Sequence, residues 1–184
     1  MDRQSPEGPM LRAAQLEDIE AIETLMRASM EALFPAFYDA RQTAASAGHF
    51  ASIEPMLIED GTYFVIEVDG ELVACGGWTP RARVDTGSGG GTADARILDP
   101  ASEPARIRLM FVRADWTRHG LATRILEASE AAAKAQGYGR LELGASLPGV
   151  PLYLSYGFRE TDSIDVPLPD GPAIAIVLMT KLIA

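Results

Sequence analysis

This 184-residue chain has a single cysteine, two histidines and no long apolar run. The lone Cys75 excludes an internal disulfide. With only His49 and His119 beside it, a structural zinc site of the cysteine/histidine kind lacks ligands. No tight acidic cluster replaces them, so no metal is expected. No apolar stretch approaches the ~18–20 residues of a membrane-spanning helix, and the opening MDRQSPEGPM has no apolar centre of the signal-peptide kind. The expectation is a cytoplasmic protein without a membrane partner. A surplus of positive charge is missing too. Sixteen Lys and Arg face 26 Asp and Glu, a net charge of −10, which opposes nucleic acid as a partner.

What is present is enough apolar material, 47% of residues, for one domain with a real core. A charged fraction of 23% and a mean hydropathy of +0.04 fit neither a disordered nor a membrane chain. Basic residues gather in one place: Arg106, Arg108, Arg113, Arg118 and Arg124. In an acidic protein such a stretch points to a local anionic ligand, or else to the solvated ends of a buried strand.

Residues 1–9, with Pro6, Gly8 and Pro9, read as a flexible start, and 10–184 as a single domain. LRAA (11–14) is a short strand candidate. In the following stretch Ile19, Ile22, Leu25, Met26 and Met30 recur at helical spacing. Residues 35–60 hold one or two short helices, and an aromatic group, Phe37, Tyr38 and Phe50 with Phe34 just ahead of the stretch, clusters there. Two β-rich runs flank Asp69-Gly70, a hairpin signal; Gly76-Gly77 then suggests a bulge or a close backbone approach. The segment 80–104, with its Gly/Ser run, reads as an insertion loop, mobile around 86–93. RIRLMFV (106–112) is a strand, Leu121, Ile125, Leu126 and Ala132 mark a helix that Gly137 ends, and Glu130 pairs with Lys134 on its outer face. RLELGAS (140–146) is a strand, GVPLYLSYGF a short helix or turn, DSIDVPL a possible strand, and AIAIVLMTKLI (173–183) a final apolar strand. The expected class is α/β, helices packed on a mixed sheet.

TRHGLATR (117–124) leaves a strand and launches a helix at once. A helix start leaves backbone N–H groups unpaired and carries partial positive charge, so an anion binds there without a particular side chain. Gly120 and Ala122 keep bulk away, and Arg118 and Arg124 add charge. The stretch is neither a Walker A loop nor a dinucleotide fingerprint. An ordinary strand-to-helix turn is the competing reading.

The stretch VRADWTRHGLA (112–122) resembles the hallmark V-x-x-x-x-[Q/R]-x-x-G-x-[G/A] of the GNAT superfamily of N-acetyltransferases, with Thr117 at the usual Gln/Arg position. LYLSYGF (152–158) resembles the family's F-Y-x-x-x-G-F, with Tyr153 as the tyrosine and Ser146 in place of a frequent Asn seven residues earlier. LRAAQLEDIEAI is similar to the family's first strand and helix, and the Asp69-Gly70 hairpin with ACGGW to its second and third strands. The resemblance implies a GNAT-like, mostly antiparallel central sheet flanked by helices, and acetyl transfer from acetyl-CoA to a primary amine of a small molecule or peptide. It implies a cofactor site of Phe111, Val112, Arg113, Thr117, Arg118, His119, Gly120, Leu121, Ala122, Thr123 and Ser146, with Tyr153 as general acid toward the CoA sulfur. Arg106 and Arg108 on one strand face, with Trp78 and Tyr38, are the candidate acceptor contacts. No general base stands out. An exposed edge of the apolar last strand would favour a homodimer. A non-catalytic acyl-CoA sensor on the same fold, and an unrelated phosphate-binding α/β module, are the alternatives.

Overall fold

Asp69 and Gly70 both take positive φ, 50° and 83°. Two consecutive left-handed residues are what a two-residue type I′ turn needs. They join β2 (Tyr63–Val68) to β3 (Glu71–Thr79), with Val68 opposite Glu71. The computed structural model describes residues 8–82, 96–169 and 171–183. Around this hairpin β1 (Met10–Ala13) adds outside β2, and β4 (Ala105–Val112) pairs antiparallel with β3. β5 (Arg140–Ser146), β7 (Ile174–Leu182) and β6 (Arg159–Val166) complete a seven-stranded sheet in the order β1-β2-β3-β4-β5-β7-β6. Only the β4–β5 pair is parallel.

Helices cover both faces. α1 (Ile19–Leu33) buries Ile22, Leu25, Met26 and Met30, one stripe at helical spacing. In the 35–60 stretch the local signal is a cap, not periodicity. The Asp39 carboxylate accepts the Gln42 N–H at 2.8 Å and the Gln42 side chain accepts the Asp39 N–H at 2.9 Å, a capping box that starts α2 (Ala40–Phe50). α3 (Pro55–Glu59) follows. These three pack with Tyr63, Val65, Cys75, Ile174 and Ile176. On the opposite face lies α4 (Leu121–Ala135), whose Leu121, Ile125 and Leu126 meet Ile66, Ala74, Ile107 and Leu141. α5 (Val150–Ser155) lies between β5 and β6 in the chain and contributes Tyr153 to that core. Gly137, at φ 88°, ends α4 as expected.

Three details depart from the sequence reading. Glu130 does bind Lys134, at 3.0 Å, but it also takes Lys181 of β7 at 2.6 Å, so this carboxylate ties helix to sheet instead of facing solvent. β6 begins at Arg159, three residues ahead of DSIDVPL, because nearly all its side chains are exposed and no apolar alternation marks it. The apolar last strand, expected to leave an edge for a homodimer, is paired on both sides; the sheet edges are β1 and β6, and β6 carries Arg159, Glu160, Asp162 and Asp165, the charge that keeps an edge unpaired.

The insertion at 80–104 is closed at its base. Arg81 bridges Ile97, the Leu98 N–H reaches the Pro80 carbonyl at 2.7 Å, and Arg81 forks onto Asp60 with two contacts of 2.7 Å. The stretch 86–93, expected to be mobile, lies outside the described residues, as does most of the flexible start. Among the described residues no helix is long and apolar enough to cross a membrane.

Candidate active site

β4 and β5 pair only at Ala105↔Leu141 and Arg106↔Glu142, and then part. The cause lies in β4. Cys75 faces Phe111 and Gly77 faces Arg108, so Leu109 and Met110 together oppose Gly76 alone. This β-bulge bends the strand. Leu109 sits at φ 49°, a left-handed conformation that costs a leucine roughly 1–2 kcal/mol. The buried Tyr63 holds it there: its hydroxyl donates to the Leu109 carbonyl at 2.7 Å. Gly76 and Gly77 make the close approach their sequence suggested. A Cβ on Gly77 would run into the Thr62 carbonyl and come within 2.7 Å of Tyr63 Cα; one on Gly76 would lie 2.6 Å from the Met110 sulfur.

The ladder also decides which N–H groups β4 leaves over. The Arg113 N–H reaches the Val73 carbonyl at 2.9 Å. Bonded and non-bonded pairs alternate in an antiparallel ladder, so Phe111↔Cys75 is bonded and Val112↔Ala74 is not. The N–H and carbonyl of Val112 therefore turn away from β3, toward the gap. Ser29 of α1 donates its hydroxyl to that carbonyl at 2.8 Å; the N–H has no partner among the described residues.

The gap opens into a cavity of about 170 Å³. Its floor is β4, β5 and β7; its wall is the end of α1 and the segment from Phe50 to Glu54. Tyr153 lines it, 8% exposed, and its hydroxyl finds no hydrogen-bond partner among the described residues. Burial pushes this phenol well above the usual tyrosine range. Gly149 gives the ring room, since a Cβ there would lie 3.1 Å from Tyr153 Cε2. Ser146, Phe111 and Arg108 line the same cavity. The buried Cys75 thiol, pushed up to about 12 chiefly by burial, is no nucleophile at neutral pH.

Three expected acceptor contacts stand elsewhere. Tyr38 is buried outside the cavity lining with both hydroxyl valences used: it donates to the Ala175 carbonyl at 2.9 Å and accepts the Leu147 N–H at 2.8 Å. It fixes the turn between β5 and α5. Trp78 is wholly buried against Tyr138, with ring centroids 5.9 Å apart. Arg106 stays where β4 and β5 still pair, 3.8 Å from Glu142. Large apolar side chains on an amphipathic strand read alike whether they meet ligand or core, and here core won. Conversely, Tyr63 and Glu54 went unnoticed in the sequence. The glycine pair facing the bulge was the only hint of the first; Glu54, one of many acidic residues, gave none.

The turn before α4 offers backbone more than side chains. The Thr117 hydroxyl donates to the Ala114 carbonyl at 2.9 Å, and His119 Nδ1 lies 2.9 Å from the Thr117 carbonyl with its ring against Trp116. Arg113 spends its guanidinium on Glu71 and Asp115. Arg118 and Gly120 take φ of 64° and 76°. Gly120 is the N-cap and no side chain caps the helix. The N–H groups of Leu121, Ala122 and Thr123 thus begin a helix with no side-chain cap, and, its two chain neighbours aside, no atom of the described residues lies within 4 Å of where a Gly120 Cβ would stand. That open, positively polarised end fits a diphosphate.

A family profile described as an acetyltransferase (GNAT) domain matches residues 59–160, more than half of the chain. The chain belongs to the GNAT acetyltransferase family. No curated protein matches it in sequence. Among solved structures, a GCN5-related N-acetyltransferase from Rhodopseudomonas palustris superposes with a TM-score of 0.72 at 20% identity, covering 98% of this chain and 99% of that one. The PaiA N-acetyltransferase of Thermoplasma acidophilum, solved in complex with coenzyme A, gives 0.67 at 15% identity over 96% and 99%. The ribosomal-protein-S18-alanine N-acetyltransferase of Escherichia coli gives 0.58 at 16% identity over 96% and 95%. These likenesses extend the GNAT fold over nearly the whole chain, and fold alone fixes no substrate. In this GNAT chain the profile spans β2 to α5, so the bulge, the gap, the turn at Gly120 and Tyr153 all fall within it.

Proposed function

We propose that the chain transfers an acetyl group from acetyl-CoA to the primary amine of a small molecule. The observation that carries this reading is the Tyr153 hydroxyl, without a hydrogen-bond partner among the described residues, in the cavity that opens where β4 and β5 part. The first turn of α4, with Arg118 beside it, holds the diphosphate through the N–H groups of Leu121, Ala122 and Thr123. The gap takes the pantetheine arm, and the Val112 N–H, with that of Met110 two residues back, faces its polar groups. A donor fixed in this way stabilises negative charge on the thioester carbonyl oxygen as it develops. The amine nitrogen attacks the carbonyl carbon; the C–N bond forms and the C–S bond breaks. Tyr153 gives its proton to the leaving sulfur and regains one from the nitrogen. An acceptor arriving as an ammonium releases one further proton, so the balance is amide, free thiol and one proton. A cytoplasmic location, with access to acetyl-CoA, belongs to the same reading.

Thiol release from acetyl-CoA over a panel of amines tests it. Turnover that Tyr153→Phe removes supports it. Binding of CoA without turnover of any amine would instead support an acyl-CoA sensor.

A further inference from the structure

Tyr38 lies outside the cavity lining, yet it is tied to three of the walls that form it. Its ring stands 5.0 Å, centroid to centroid, from that of Phe34, just past the end of α1. Its hydroxyl donates to the Ala175 carbonyl at 2.9 Å, between Ile174 and Ile176 of β7. The same hydroxyl accepts the Leu147 N–H at 2.8 Å, next to Ser146 where β5 ends. Phe34, Ile174, Ile176 and Ser146 all line the cavity. The two hydrogen-bond partners stand 137 and 109 residues away along the chain. A carbonyl only accepts and an N–H only donates, so the group that joins them must do both. A phenol does, and a phenylalanine of the same shape does neither.

Leu147 opens the way into α5. The turn Leu147–Gly149 leads straight into Val150–Ser155, six residues that carry Tyr153. So short a helix does not hold a direction of its own. Pro148 and Pro151 bring no N–H to its start, and no side chain caps it. At its other end the Phe158 N–H closes back on the Tyr153 carbonyl at 2.9 Å, a bond inside the same segment. The Tyr153 hydroxyl has no hydrogen-bond partner among the described residues to aim it, so its place follows from where the backbone of α5 is held. From this we infer that Tyr38 is a positioning residue for the proposed acid: its hydroxyl fixes the entry to α5, and with it Tyr153, against β7 and the end of α1. The inference rests on the acetyl-transfer reading and adds to that site a residue that touches neither coenzyme nor acceptor. Without the hydroxyl, the Leu147 N–H and the Ala175 carbonyl lose their common partner, and the turn is free to shift. A small displacement of a group that must reach the leaving sulfur costs rate, while the diphosphate contacts at α4 stay as they are.

The test is a double-mutant cycle on thiol release from acetyl-CoA, with an amine that the wild-type protein turns over. Tyr38→Phe keeps the ring against Phe34 and removes only the hydroxyl. Its kcat should fall about 10- to 100-fold, with CoA affinity by calorimetry within about twofold of wild type. In the Tyr153→Phe background the same change should cost less than about twofold, because the group it positions is gone. Gln42→Leu removes another tie to the β7 region, 2.8 Å to the Ala173 carbonyl, and should lower the melting temperature with kcat unchanged. Should Tyr38→Phe not fold, an ester in place of the Ser146–Leu147 amide removes the Leu147 N–H and leaves the tyrosine, and the same cycle is read on that protein. An unchanged kcat, a full loss repeated in the Tyr153→Phe background, or an equal loss from Gln42→Leu would overturn the assignment and leave acetyl transfer standing. If the wild-type protein turns over no amine, the transferase reading itself fails and this inference with it.

Discussion

At the scale of single residues the proposed chemistry rests on Tyr153 and Tyr63. Tyr153 is the only one of them that the sequence names as an acid, and its environment explains why a phenol serves. Burial disfavours the phenolate, so the proton stays in place across the neutral range, and on the proposed mechanism it is given up only to a forming thiolate. Replacing Tyr153 by Phe should lower kcat about 10²- to 10⁴-fold, the usual worth of a positioned acid, with CoA affinity near wild type by calorimetry. The sign of the pH dependence follows from the raised value. In wild type, no descending limb of kcat due to loss of this proton should fall below about pH 10, the ordinary tyrosine value. A descending limb at pH 7–8 that vanishes in the Tyr153→Phe protein would show that the hydroxyl ionises far too easily for this role.

At the scale of elements, the proposed function rests on two backbone irregularities, the bulge of β4 and the left-handed entry to α4. The bulge is built from β2 and β3: Tyr63 supplies the hydroxyl, Gly76 and Gly77 the space. Tyr63→Phe would deprive the Leu109 carbonyl of its partner, a loss of about 0.5–1.5 kcal/mol of stability read by denaturant unfolding. A shift of the strand by a fraction of an ångström should also cost kcat about 10- to 100-fold. Unchanged kcat in a folded Tyr63→Phe protein would show that the bulge needs no such clamp. Gly120→Ala meets no clash, but its positive φ costs roughly 1–2 kcal/mol for a residue with a Cβ, and CoA affinity should weaken. The sequence made the second irregularity legible because glycine at a strand–helix junction is a local signal. The first was legible only as a paired glycine; that the distortion sits on the opposite strand, at an ordinary leucine, is a tertiary fact with no mark in the stretch LMFV. The same distinction holds for the other elements. Asp69-Gly70 and Gly137 act through their own φ and were readable, whereas α2 begins at a capping box between two unremarkable polar residues and β6 exposes both faces, so neither announced itself.

At the scale of the whole molecule, all five tyrosines, at 38, 63, 138, 153 and 156, are raised above the ordinary value, with burial the first cause of each. The unfolded chain ionises them near pH 10, where the folded chain still holds its protons. Between those values the unfolded state binds fewer protons, so stability is fully present at neutral pH and falls as pH rises through and beyond about 10. Thermal melts should be flat to about pH 9 and drop steeply above it; a melting temperature constant to pH 11 would contradict this. The fold as a whole is a mostly antiparallel sheet with one parallel contact opened by a bulge, and the proposed function places coenzyme A in the gap that results. The most direct test of that claim is a crystal structure with coenzyme A bound. The account predicts the diphosphate on the N–H groups of Leu121, Ala122 and Thr123, the pantetheine arm between β4 and β5, and the sulfur within hydrogen-bond reach of the Tyr153 hydroxyl. Coenzyme A lying outside the gap, or its sulfur far from Tyr153, would contradict it.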